Sequence, residues 1–239
     1  MNIIELKNPG DRRQFLEFPK RLYSDDPEWV CPLDSMIESV FDPKKNHSFR
    51  NGEAKRWIIK EGKTVIGRIA AFIDRDRSAA QNQPTGGIGF FEVIDDQKVA
   101  FMLFDVAKDW LVSRGMEAID GPINFGENDT NWGLLVDGFL QPVYGMPYNK
   151  RYYRNFFEDY GFRNYFEQYS SSRVIRDTDG RLIEFPERIM KIAERIVNRP
   201  GYSYRHFEYR NRNKYINDIC EIYNSTWVFL KEDFTPLDP

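Results

Sequence analysis

Histidine and cysteine are scarce in this chain of 239 residues, with two of each. His47 and His206 stand far apart. A histidine-based metal site or a Ser-His-Asp triad is therefore not expected, and no metal is assigned. Cys31 and Cys220 have no CxxC spacing and give no disulfide framework, which makes a reducing cytoplasm the simplest expected setting. Long apolar runs are missing too: no stretch reaches the roughly 18 residues that span a bilayer. The opening MNIIELKNPGDRRQF lacks the apolar segment of a signal peptide. No membrane partner is expected. Excess charge is also small, since 34 Lys and Arg nearly balance 37 Asp and Glu. That leaves no general electrostatic case for nucleic acid. The one basic run with interleaved aromatics, YRHFEYRNRNK at 204–214, reads more simply as a solvated face than as a single-strand binder.

What is present fits a packed globular protein, with 41% hydrophobic and 15% aromatic residues. Apolar periodicity predicts a strand at 3–6 and a helix from Asp11, as cap, through residue 22 or 23. A hairpin follows, with arms 56–60 and 64–74 around Glu61-Gly62-Lys63. A strand covers 86–94. Asp95-Asp96 caps a helix over 97–114, which carries Val99, Leu103, Val106, Ala107, Trp110 and Leu111 on one stripe and ends at Gly115. Next come a strand at 116–123, an aromatic helix at 151–160 closed by Gly161, and an alternating strand at 164–175. Beyond the turn at 177–180 the pattern predicts a charged helix at 187–198, a strand at 202–210 and a helix at 214–226. The order strand then helix repeats the order at 3–23. RLYSDDPEWVCPL near 21–33 has a weak echo in EIYNSTWVFLKEDFTPL near 221–237. The expected organisation is one domain over 1–178, then a linker helix and the opening part of a second, similar domain over 179–239.

Two features draw chemical attention. Glu92 lies in the apolar strand GFFEVI, where a carboxylate needs a partner or a wet cleft. The partner on a neighbouring strand would be Arg68. The second feature is GPINFGENDTNWG at 121–133, a loop rich in Gly and Asn. Asn124, Glu127, Asn128, Asp129 and Asn131 offer donors and acceptors to a polar small molecule or peptide amine. Tyr148, Asn149 and Arg151 in MPYNKRYY lie just beyond, and Arg151 suits a carboxylate or phosphate. The plainer reading of the loop is a set of Asx turns that satisfy their own backbone.

The motifs FPKRLYSDDPEWVCPL, GRIAAFID, GFFE, RGMEAIDGPINFGEND, GLLVDGF and MPYNKRYY, within 18–169, resemble a bacterial family of uncharacterised GNAT-like proteins with two GNAT-like halves. The wider likeness is to the GNAT superfamily of N-acetyltransferases. It implies an α/β fold, a mixed twisted sheet flanked by helices, and an acyltransferase that passes an acyl group from acetyl-CoA or another acyl-CoA to an amine. It also implies Glu92 as general base. The family's acid tyrosine falls on Phe157, which cannot donate a proton. Tyr153, one turn earlier on the same helix face, is the substitute. The family's pyrophosphate turn is VIDDQKVAFML here, without its glycines and arginine, and with two carboxylates where an anion should sit. A non-catalytic binding module is therefore the alternative reading, and a transferase that uses aminoacyl-tRNA is a third.

Overall fold

The structure is a computed structural model that describes residues 1–126, 130–229 and 236–237. It divides into two compact units, Met1–Arg163 and Asn164–Pro239. The first unit runs β1 (Asn2–Glu5), α1 (Pro9–Leu22), α2 (Asp34–Val40), β2 (Gly52–Glu61), β3 (Thr64–Asp74), α3 (Arg75–Ala79), β4 (Thr85–Val93), α4 (Gln97–Val112), β5 (Ala118–Asp120) and α5 (Tyr153–Tyr160). The strands form one sheet in the order β1-β2-β3-β4-β5. The first four pair antiparallel, and β5 joins β4 in parallel. This is the expected mixed α/β sheet flanked by helices.

Both faces of the sheet are covered, and the strand alternation shows how. On β2, Trp57 and Ile59 join the core built with α4 and α5, while Ile58 between them joins the core built with α1. A period of two sends neighbours to opposite faces. The α4 stripe buries as expected except for Val106, which is only half-buried, and Ala100 and Phe104 join it. Phe104 stacks on Phe91 at 4.6 Å and meets Phe157 edge-on at 4.9 Å, which ties α4, β4 and α5 together. Full burial of one such ring contributes about 2–3 kcal/mol.

Local chemistry sets the ends of the elements. Asn8, not Asp11, caps α1: its side chain accepts from the Asp11 N–H at 3.0 Å. Pro9 then takes the first helical position, where no N–H is needed. The first hairpin arm is longer than expected, the second matches, and the turn narrows to Gly62-Lys63, with Gly62 at φ 58°. Asp96 caps α4 as expected, accepting from the N–H groups of Lys98 and Val99. β5 keeps only three residues of the strand expected over 116–123. After it the chain holds to β4 by one bond, from Ile123 N–H to the Ile88 carbonyl at 2.8 Å, and then leaves the sheet. Beyond that bond no further backbone pairing joins β4 to this segment among the described residues.

The second unit contains α6 (Glu187–Val197) and α7 (Arg212–Trp227), both close to expectation. The strands expected at 164–175 and 202–210 are absent among the described residues. An isolated bridge between Arg176 and Leu182 and a short 3-10 turn at Tyr209–Asn211 stand near them. Alternation alone does not make a strand. The ladder needs a partner along its length, and here pairing is limited, among the described residues, to the bridge at Arg176 and Leu182, with its bond from Ile183 N–H to the Ile175 carbonyl. The later part of the expected repeat, 230–235, lies outside the described residues.

The register of β4 rests on Gly89. A Cβ there would stand 1.9 Å from the Ile123 carbonyl oxygen. Gly89→Ala should destabilise the unit by about 1–3 kcal/mol, as overpacking does. Gly62→Ala, which meets nothing within 4 Å but sits at positive φ, should cost about 1 kcal/mol. Urea midpoints check this, and a Gly89→Ala midpoint equal to or above that of Gly62→Ala would contradict this packing.

Candidate functional site

The site begins with an irregularity in the sheet. Arg68 pairs with Glu92 and Ala70 with Gly89, so Ile69 of β3 faces both Phe90 and Phe91 of β4. This is a β-bulge, and it holds Phe90 at φ 52°, an uncommon value for a bulky side chain. The bulge resets which side chains share a face just before Glu92.

Glu92 is the centre of a buried polar cluster, with its side chain 12% exposed. Tyr23, the residue that ends α1, donates its hydroxyl to Glu92 Oε2 at 2.7 Å. Tyr153, at the start of α5, donates to the same oxygen at 2.8 Å. The expected partner Arg68 lies across the strand pair, with Nη2 3.9 Å from Oε1. That guanidinium is almost fully buried. It donates to the Phe15 carbonyl at 2.9 Å and lies over the Phe15 ring at 4.6 Å. Tyr153 is also fixed from the backbone, since the Val93 N–H donates to its oxygen at 2.8 Å. Tyr152 donates to the Val93 carbonyl at 2.8 Å.

Burial pushes the Glu92 carboxyl above the usual carboxylate range, although Arg68, the two phenols and Lys150 all pull the other way. Burial, with the charge of Glu92 beside them, also pushes the phenols of Tyr23 and Tyr153 well up, so both stay protonated donors. Burial lowers Arg68, which the charge of Glu92 opposes. The arrangement pairs one carboxylate able to take a proton with two phenols that hold theirs.

A roof covers the cluster. The Trp29 ring stacks on Tyr23 at 5.0 Å, and Tyr148 meets Tyr23 edge-on at 6.0 Å. The Lys150 ammonium sits over the Tyr23 ring at 4.6 Å. Asp26 joins the two loops that form this roof. It accepts from the Tyr148 hydroxyl at 2.9 Å and from Lys150 at 3.3 Å. Burial would raise the Asp26 carboxyl, but these two donors bring it below its ordinary value. Tyr148 is pushed up to about 12, first by burial and then by Asp26.

The expected site residues fall in different places. Glu92 and Tyr153 come into contact, as a carboxylate and a neutral donor. Tyr148 joins the roof. The side chain of Asn149 serves the chain's own backbone: its Oδ1 accepts from Leu135 N–H, and its Nδ2 donates to the Leu135 and Lys150 carbonyls. Arg151 lies over the Phe139 ring at 4.1 Å. Asn124 is apart from these, in a hollow at the other end of β4 with Asp74, Arg77, Gln81 and Asp120. Its Nδ2 donates to Thr130 Oγ1 at 3.3 Å, and its buried Oδ1 has no hydrogen-bond partner among the described residues. Asn131 takes φ 52° and donates its N–H to the Gly145 carbonyl. Glu127, Asn128 and Asp129 lie outside the described residues. Sequence pattern does not mark Tyr23, Asp26, Trp29 or Lys150 for chemistry. The only signal is that FPKRLYSDDPEWVCPL and MPYNKRYY, which contain them, are motifs of the resemblance.

Among the described residues no group of His, Cys, Asp and Glu could hold a metal ion. No helix there is long and apolar enough to cross a membrane. The start of α4 is closed by its own cap. The Lys98 and Val99 amides donate to the Asp96 carboxylate.

No family model matches the chain. It is similar to Protein YghO of Escherichia coli (strain K12), with 35% identity over 161 residues, covering 65% of this chain and 40% of that protein. It is also similar to a bacterial ceramide synthase of Caulobacter vibrioides (strain NA1000 / CB15N), with 29% identity over 232 residues, covering 95% of this chain and 58% of that one. The chain thus spans about half the length of these curated relatives. Among solved structures, a predicted acetyltransferase with acetyl-CoA from Clostridium acetobutylicum aligns at 18% identity and a TM-score of 0.44, covering 72% of this chain and 95% of that one. Glucosamine-6-phosphate N-acetyltransferase from Arabidopsis thaliana aligns at 15% and 0.41, covering 72% and 97%.

The cluster makes a prediction about stability. Tyr153→Phe leaves the buried Val93 N–H without its acceptor and should cost about 1–3 kcal/mol. Tyr152→Phe removes only a donor to a carbonyl and should cost about 0.5–1.5 kcal/mol. Chemical denaturation that ranks Tyr152→Phe as the more damaging change would contradict this bonding. By the order and pairing of its strands this chain is a mixed α/β protein with a sheet flanked by helices, and its motifs resemble those of GNAT-like proteins.

Proposed function

We propose that the chain carries the acceptor side of an amide-forming acyltransferase. An amine-bearing molecule takes an acyl group from an acyl thioester, with Glu92 as general base. The observation that carries this reading is Glu92 itself: a carboxylate on β4, just past the bulge and beyond the residues that pair with β5, with its proton affinity raised by burial. A base of that kind is matched to deprotonating an amine near neutral pH. The Tyr153 hydroxyl lies closer to Glu92 Oε2, at 2.8 Å, than to the Val93 carbonyl, at 3.2 Å, so in this reading it holds the base rather than protonating the leaving group.

The likeness to a ceramide synthase supports an amide product, since a ceramide is the amide of a long-chain amino alcohol. We extend that to this chain as a proposal on the acceptor, which becomes an amino lipid or another amine of small size. The donor is an acyl thioester of unspecified carrier, because the start of α4 is occupied by its own cap. That same occupied cap favours the second reading, a cleft that binds a polar metabolite without turnover.

An assay separates the two. The chain is incubated with acetyl-, octanoyl- and palmitoyl-CoA and a panel of primary amines that includes a long-chain amino alcohol. Mass spectrometry then looks for amide, and a thiol reagent follows release of free thiol. Amide and thiol in equal amounts are expected for at least one pair. A metabolite-induced thermal shift with no amide from any pair would replace the enzyme reading with the binding module.

A further inference from the structure

The two phenols at Glu92 do not share its oxygens evenly. Tyr23 and Tyr153 both donate to Oε2, at 2.7 and 2.8 Å. Among the described residues, Oε1 faces the Arg68 guanidinium at 3.9 Å, beyond hydrogen-bond distance. The Glu92 side chain as a whole keeps 12% of its surface exposed. One oxygen is therefore saturated, and the other has its lone pairs open.

We propose that Tyr23 is a positioning residue for Glu92: with Tyr153 it holds Oε2 and leaves Oε1 as the oxygen that takes the acceptor's proton. The inference rests on the acyltransferase reading above. In the step, the neutral amine nitrogen attacks the thioester carbonyl carbon. The C–N bond forms as the C–S bond breaks. One amine proton passes to Oε1. The departing thiolate takes up a proton through solvent and leaves as the thiol, while Glu92 returns its proton to solvent. Atoms and charge balance, and no other reactant is needed.

Tyr23 does more than Tyr153 in one respect. Tyr153 is held by α5 and by the backbone of β4. Tyr23 is held by the roof, through the stacked Trp29, the edge of Tyr148 and the ammonium of Lys150. Those contacts come from the loops that Asp26 joins. An acceptor that enters under the roof displaces or settles these contacts, and the Tyr23 hydroxyl carries the change to the base. Tyr23 thus links closure of the acceptor loops to the orientation of the carboxylate.

The test uses the full chain and two readouts. The first is a carboxyl carbon NMR titration of Glu92 in the parent chain, Tyr23→Phe and Trp29→Leu. The phenol favours the ionised carboxylate, so its loss should move the Glu92 midpoint to higher pH in Tyr23→Phe. Trp29→Leu keeps the hydroxyl but loosens the ring, and should move it the same way by less. It also serves if Tyr23→Phe folds poorly. The second readout is the pH profile of amide formation. The base must be ionised, so the acidic limb of kcat/KM should move to higher pH and the rate on that limb should fall about threefold or more, the equivalent of one hydrogen bond. An unchanged Glu92 midpoint in both variants overturns the proposal. A shifted midpoint in a chain that forms no amide from any donor and amine overturns the acyltransferase reading and upholds the placement of Glu92 by Tyr23.

Discussion

The first unit is organised around one costly placement, a carboxylate on an inner strand of a covered sheet. A charge in that position is unfavourable unless donors meet it, and removing one partner leaves the others uncompensated. Glu92 is met from three directions: β3 supplies Arg68, α1 supplies Tyr23 and α5 supplies Tyr153. Each partner has its own apolar support. Arg68 lies over Phe15. Tyr23 lies under Trp29. Tyr153 packs edge-on against Phe91 at 5.0 Å. The polar cluster therefore fixes how α1 and α5 sit against the sheet. Their packing in turn fixes the carboxylate, and neither is set without the other.

The bulge and the splay work on the same strand. By placing two residues of β4 opposite one of β3, the bulge changes the direction in which the end of β4 presents its side chains. β5 stops after three residues, and the single bond from Ile123 to Ile88 is the last link before the edges part. A flat ladder continued to Val93 would have covered the approach to Glu92 with backbone. In its place stands a roof of side chains joined at Asp26, which can be parted without breaking the sheet.

Much of this can be read from the residues. The α4 stripe follows from helical spacing, and the Asp96 cap from its place before an apolar run. The Glu92–Arg68 pair follows from the question of what a carboxylate needs inside GFFEVI. Local patterns reach no further than that. Tyr23 is 69 residues from Glu92, and nothing near either marks their contact. Asn149 looks like a ligand-binding side chain because an amide can bind anything; here it completes its own backbone. Asn8 displaces Asp11 as cap because both residue types serve, and the backbone at Asn8, at φ −132°, is extended as a cap requires. The segments 164–175 and 202–210 alternate as strands do, yet pairing is decided by a neighbour that a sequence pattern does not contain. The Asn-rich loop holds partly to its own backbone, through the Gly133 N–H to the Pro122 carbonyl, and partly to the chain beyond it, through the Asn131 N–H to the Gly145 carbonyl. Asn124 keeps a buried acceptor open at the far end of β4.

The chemistry turns on whether Glu92 acts as a base or serves only as a buried structural charge. The deciding measurement is the rate of amide formation by Glu92→Gln, beside its thermal midpoint. Gln can keep accepting from both phenols but cannot take a proton. A base at this position predicts a fall in kcat of at least about a hundredfold, the usual scale of a lost general base, in a chain that still melts cooperatively. Turnover at the parent rate by folded Glu92→Gln would contradict it.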